Sequence, residues 1–464
     1  MIAALARWID RRVAGSSWVQ EKIKKIFPES WAHLFGEVAL YSFVVLVLTG
    51  TFLALFFEPS HKETHYEGEY EALNGVKMTA AYASTIKLSF DIPGGLLFRQ
   101  MHHWAALIFV AAIVVHLARI FFTGAFRRPR EMNWMIGVTL LMLALVEGFA
   151  GYSLPDDLLG GTGLRIAHAA IESIPVIGTW SASFVFGGLY PGEHLIPRLY
   201  MAHIFLLPTL FFGLIALHLS LVFRQTHTQF PGEGRREDNV VGLPLWPTYT
   251  ALSVALFFIV FGVIAGLGGF FQILPVWFYG PYDPYTVSTG SQPDWYVGWM
   301  EGSLRIFPPW EFRGLGYMIP NPFFPTMFLG GLAFLALYAY PFLERRFTGD
   351  RAEHHLLDRP RDRPVRSAIG AAFLTFFLVL TIAGSNDILA YELKLPVSAV
   401  VYFLRGAAIL APLLVGLLTY HWCKALSVAK ERPPGMDWDE EEPAEESEDT
   451  TGDQEPAAAG GSAG

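Results

Sequence analysis

Among fourteen histidines, four stand in two pairs at nearly one interval: His102 and His116 are 14 residues apart, His203 and His218 are 15 apart. At about 100° per residue, 14 steps return to within about 40° of one helix face and 15 steps to within about 60°. A rise of ~1.5 Å per residue separates the members of each pair by about 21–22 Å. That puts one imidazole near each edge of a hydrocarbon core about 30 Å thick. An imidazole in lipid is costly unless it is hydrogen-bonded or ligated. Two such helices face to face present two stacked imidazole couples. A couple on opposite sides of one plane fills both axial positions of a haem iron, leaves no site for oxygen, and suits electron transfer.

Glycines repeat the interval. Gly36 and Gly50 are 14 apart, as are Gly137 and Gly151. A missing side chain lets a large planar group approach a helix backbone, so four helices, two bearing His and two bearing Gly, describe a bundle with two haem slots. His103 also precedes His218 by 15 residues, but only His102–His116 matches the glycine interval, and His102 is chosen on that ground. Arg99, Arg119 and Arg198 lie three, three and five residues from His102, His116 and His203, placed to pair with haem propionates. Snorkelling or topology would equally account for any one of them.

The elements that must carry these residues are membrane spans. The chain has 464 residues, 53% hydrophobic and 16% charged, against about a quarter charged in ordinary soluble domains. Apolar runs predict eight helices at about 33–57, 98–122, 134–153, 199–223, 248–270, 323–345, 366–384 and 399–423. Two long segments, 154–198 and 271–322, are too rich in apolar residues, Gly, Pro and Trp to be simple tethers. For a chain starting inside, 23 Lys and Arg fall on the inner side and 10 on the outer, which predicts both termini in the cytoplasm. The net charge of −9 comes from 11 acidic residues in 437–464; the remainder is about +2 by subtraction.

The expected organisation is an all-α membrane protein with eight transmembrane helices. It comprises an amphipathic cytoplasmic-face arm at 1–32 and a four-helix di-haem bundle at 33–236. A C-terminal four-helix region follows at 237–430, then a disordered acidic tail at 431–464. Met1–Phe27 lacks the continuous apolar core and cleavage site of a secretory signal. The single Cys423 excludes an internal disulfide and a Cys-ligated iron–sulfur cluster in this subunit. Nothing in the charge pattern points to nucleic acid.

With its four histidines, the two glycine pairs, GYSLP at 151–155 and PDWY at 293–296, the chain resembles the cytochrome b subunit of quinol:cytochrome c reductases, over roughly residues 20–423. The resemblance implies two non-covalent haem b groups. His102 and His203 would ligate the low-potential haem near the outer face, and His116 and His218 the high-potential haem near the inner face. It makes Asp294, which replaces the commoner Glu, a proton acceptor at an outer quinol-oxidation site, with Pro293 and Tyr296 of the same motif. Gly151, Tyr152 and Gly163 match positions lining that pocket. A base within hydrogen-bond reach is what quinol oxidation needs, and partial burial raises a carboxylate towards that duty. Glu301, seven residues on, would share the task; the plainer role for Asp294 is to cap the helix starting near Trp295.

Where many relatives have WGQM after LP, this chain reads DDLLGGTG. With HTQFPG at 227–232 and PDWY, this is similar to the menaquinol-oxidising branch of Gram-positive bacteria. Phe223 falls where a relative places His at the inner quinone site, leaving His227, Arg224 and Asp238 as polar contacts there. The implied partners are a Rieske iron–sulfur protein, a c-type cytochrome and a second copy of the complex, with a terminal oxidase as a further candidate, in the plasma membrane of a bacterium. Two other classes compete: a di-haem anchor of a dehydrogenase without a Rieske partner, and a transporter with histidine proton relays. PDWY and four extra spans weigh against the first, and the matched glycine intervals against the second.

Overall fold

The computed structural model describes Trp8, Arg12 and residues 24–28, 30–188, 190–192, 194–286, 292–314 and 316–431. Most of the amphipathic arm expected at 1–32 and nearly all of the acidic tail lie outside the described residues.

Among the described residues, eight helices are long and apolar enough to cross a membrane. They are α1 (Leu34–Ala54), α3 (Gly95–Thr123), α4 (Glu131–Ser153), α7 (Leu195–Gln225), α8 (Leu245–Phe270), α10 (Asn321–Thr348), α11 (Pro364–Ala383) and α13 (Val397–Glu431). Between them lie α2 (Ala80–Phe90), α5 (Leu158–Glu172), α6 (Gly178–Phe186), α9 (Trp295–Ile306) and α12 (Asn386–Leu393). The two long segments thus carry α5, α6 and α9 rather than open loop. Three two-stranded antiparallel ribbons and a few single turns of helix lie among these elements. One pairs Ile26–Pro28 with Gly242–Pro244, tying the chain before α1 to the entry of α8.

The spans bury little of themselves because lipid takes the place of a protein partner on their outer faces. The central window of α3 is 39% buried, whereas those of α7 and α10 are 11% buried. That contrast makes α3 the axis of the N-terminal bundle. It packs against α1, α4 and α8, while α11 and α13 pack together and hold α9.

Midway through the bundle lies a dry layer. Phe43, Phe109, Phe211 and Ala144 are all buried, and the three phenylalanine rings have centroids 5.6–5.8 Å apart. Phe109 is seven residues from both His102 and His116, Phe43 seven from Gly36 and Gly50, and Ala144 seven from Gly137 and Gly151. One interval of 14 therefore produces two polar levels with an apolar level between them.

Candidate functional site

The 15-residue spacing in α7 has a local cause. Over Ala202–Leu206 the helix widens to a π turn, with Leu207 N–H bonded to the Ala202 carbonyl. Pro208 has no N–H to offer the Ile204 carbonyl, so the regular ladder is already broken there. A π turn absorbs one extra residue. Fifteen residues with one absorbed behave as 14, and His203 and His218 return to one face as closely as His102 and His116.

The four imidazoles meet in two couples. His102 and His203 have ring centroids 6.2 Å apart, and His116 and His218 6.4 Å, with planes crossed at 76° and 70°. Metal–nitrogen bonds of about 2 Å, with each ring centroid about 1.1 Å behind its nitrogen, place two axial imidazoles about 6 Å apart. The couples fit that distance. Among the described residues no three His, Cys, Asp or Glu side chains gather as a metal cage. A metal at either level would take its remaining ligands from its own macrocycle, as haem iron does. The Thr49 hydroxyl donates to the Val45 carbonyl (2.7 Å) and so accepts from Nδ1 of His102 (2.9 Å), leaving Nε2 with the lone pair. Glu147 Oε1 lies 3.1 Å from Nδ1 of His203, out of line for a hydrogen bond.

Each glycine faces one histidine. A Cβ on Gly151 would stand 2.7 Å from the His203 ring, on Gly50 3.1 Å from His102, on Gly36 3.1 Å from His116 and on Gly137 3.8 Å from His218. The protein group lying against each of these glycines is an imidazole ring.

His103, the neighbour of His102, turns elsewhere. Its Nε2 meets Asp294 Oδ1 at 2.9 Å, while the Tyr296 hydroxyl donates to Asp294 Oδ2 at 2.9 Å. Asp294 is the residue before α9 but makes no side-chain capping bond; both its oxygens are turned into the protein. Tyr296 is buried, which pushes its phenol well up, with Asp294 adding to the effect. Gly148 makes room for it, since a Cβ there would come 2.5 Å from the Tyr296 oxygen. Tyr152 is buried beside Gly163, whose Cβ would lie 3.2 Å from the Tyr152 oxygen. Glu301, expected to share the proton-accepting task, is held by an arginine. Its carboxylate accepts from Arg305 Nε at 2.9 Å, and Arg305 reaches on to Asn386 and Asp387. Burial raises Glu301, and Arg305 pulls it back.

The three arginines have no carboxylate within ion-pair distance among the described residues. Arg99 donates to the Leu274 carbonyl at 3.1 Å, Arg119 to Nε2 of His33 at 2.7 Å and Arg198 to the Phe184 carbonyl at 2.7 Å. Nε of Arg99 and of Arg119 is buried with no hydrogen-bond partner. Buried orphan donors one turn from the imidazoles suit the carboxylates of a haem. Near His116, His33 and His227 have ring centroids 6.3 Å apart, and burial with nearby Lys25, Arg130 and Arg119 pulls His227 down to about 4. Asp238, by contrast, sits at the surface, paired with Arg236. Glu37 escaped the sequence reading. This carboxylate inside α1 accepts from Ser253 at 2.6 Å, from Tyr41 at 3.3 Å and from Tyr249. A Glu in an otherwise apolar span was the available signal.

Eight spans with facing imidazoles on the second and fourth define a membrane cytochrome. A family model described as cytochrome b (N-terminal)/b6/petB matches residues 107–281. The cytochrome bc1 complex cytochrome b subunit of Mycobacterium leprae is 53% identical over 427 residues, covering 92% of this chain and 77% of that one. The subunit of the same name from Streptomyces coelicolor is 48% identical over 422 residues, covering 91% and 77%. A solved structure titled hyperthermophilic respiratory Complex III has the same fold, with a TM-score of 0.66 at 21% identity, covering 90% of this chain and all of that one. The chain belongs to the cytochrome b subunits of cytochrome bc1 complexes.

Proposed function

We propose that the chain holds two haem b groups, one between His102 and His203 and one between His116 and His218. It oxidises a quinol at the outer face, and electrons cross the membrane to a quinone near the inner face. When bound, the haems supply one-electron transfer with no open coordination site. The carrying observation is the pair of imidazole couples at 6.2 and 6.4 Å on two facing spans.

The protein's own part is to hold the reactants and to take the proton. Asp294, dressed by His103 and Tyr296, is the acceptor for a quinol hydroxyl proton. Its contacts with His103 and Tyr296 fix the orientation of the carboxylate. Glu301, tied to Arg305, serves to position α9. Pro293, Tyr152 and Gly163 shape the pocket. Release of protons outside and uptake inside, with both termini cytoplasmic as the Lys and Arg asymmetry argues, couples the reaction to a proton gradient. Menaquinol is the proposed substrate, supported by GYSLPDDLL, HTQFPG and PDWY. A Rieske protein and a c-type cytochrome take the other electron in a homodimeric complex, with a terminal oxidase as a further partner.

The test is Asp294→Asn in the purified complex. Menaquinol oxidation falls by about 100-fold, the usual scale for removing a general base, while the reduced-haem absorption stays at the wild-type level. Wild-type turnover in that variant, with haems intact, contradicts the assignment.

A further inference from the structure

The two carboxylates that open the DDLLGGTG segment have no part in the reading above, yet both are buried, Asp156 at 4% exposed and Asp157 at 0%. Asp157 caps α5, its Oδ2 accepting from Leu159 N–H at 3.2 Å; its equally buried Oδ1 has no hydrogen bond of good geometry, although the Gly160 N–H lies near enough to pull on the carboxylate. A buried acceptor without a well-formed hydrogen bond is rare and calls for a cause. Asp156 turns the other way, out of a left-handed backbone at φ +57°. Its Oδ2 accepts from the Thr79 hydroxyl at 2.8 Å and lies 3.8 Å from Nε2 of His61. Nδ1 of His61 donates to the Gly192 carbonyl at 3.0 Å, so Nε2 carries the lone pair. The His61 side chain is 16% exposed and reaches the surface.

Inward, Asp157 interacts electrostatically with Tyr152 of α4, Tyr82 of α2, Arg99 of α3 and Tyr279. Tyr152 and Tyr279 interact with Asp294 as well, so both tyrosines lie near both carboxylates and Asp157 borders the same pocket. We propose that Asp157, Asp156 and His61 form a proton-exit path from the outer quinol pocket to the outer surface, separate from the acceptor Asp294. The path rests on the outer-site reading above. One quinol O–H bond breaks as one forms on Asp157 Oδ1; the proton then passes to the Asp156 carboxylate, to Nε2 of His61 and to water. Each transfer moves one proton and no electron. Burial, with Asp156 adding to it, pushes Asp157 up to about 7 against the pull of the Leu159 and Gly160 N–H groups, which suits a group that both takes and releases a proton near neutrality.

The experiment uses the whole purified complex, with Asp157→Asn, which keeps the cap, and His61→Gln at the surface. Turnover is followed from roughly pH 6 to pH 9, with infrared spectra of the protonated carboxyl band. The wild-type rate rises as pH passes about 7, where Asp157 ionises and can accept, and the carboxyl band fades over the same range. Asp157→Asn loses that rise and that band, and falls about tenfold above neutrality with unchanged reduced-haem absorption. His61→Gln loses part of the rise. A wild-type profile in both variants, or a wild-type carboxyl band that does not titrate, overturns the path while leaving the quinol reading standing. If Asp157→Asn does not assemble, the wild-type band and the His61→Gln profile decide. A haem-loaded wild type that oxidises no quinol removes both readings together.

Discussion

The His102–His203 and His116–His218 couples are alike in geometry and opposite in surroundings. Close to the first stand Glu147, 3.1 Å from His203, and Asp294, bonded to His103, with Arg99 the cation closest in sequence to His102. Close to the second stand Arg119 and His33, with His227 beside Lys25 and Arg130, while Glu37 is bound by three hydroxyls. Carboxylates accept protons; a cationic and imidazole-rich end attracts anions and stabilises added negative charge. One repeated helix interval thus builds two equal sites, and the residues beyond it give them opposite charge.

The difference can be broken or sharpened by substitution. The largest effect is expected at the divider. Phe109→Ala opens a cavity in the buried layer between the couples and lowers stability by about 3–5 kcal/mol, read as thermal or denaturant unfolding of the complex in detergent. Next comes Gly151→Ala, whose new methyl meets the His203 ring at 2.7 Å. Outer-haem occupancy falls by about half, because a well-packed ring must shift off its axis. The smallest is Gly137→Ala, where the nearest His218 atom is at an ordinary 3.8 Å and the inner haem absorbs as in wild type. Equal losses at both glycines would show that the two levels are packed alike.

Much of this was legible in the sequence. The eight spans follow from charge-poor runs, and the facing couples from a spacing that two histidine helices share. What periodicity does not carry is pairing between distant segments. His103 meets Asp294 across 191 residues and Asp156 meets His61 across 95, contacts that exist only once α3, α4, α9 and the outer loops pack. The π turn at Ala202–Leu206 was signalled only by Pro208 and an interval one residue too long. Glycine intervals indicated where space was needed, but not that an imidazole ring fills it.

Everything attributed to the two levels depends on one iron macrocycle between each pair of rings. The direct measurement is haem content and the reduced absorption spectrum of the purified complex, for wild type and for His102→Ala, His203→Ala, His116→Ala and His218→Ala separately. Two haems per chain are expected in wild type. The first two variants should lose one spectral component and the last two the other. A wild-type complex without haem, or four variants that each keep both components, would contradict the account.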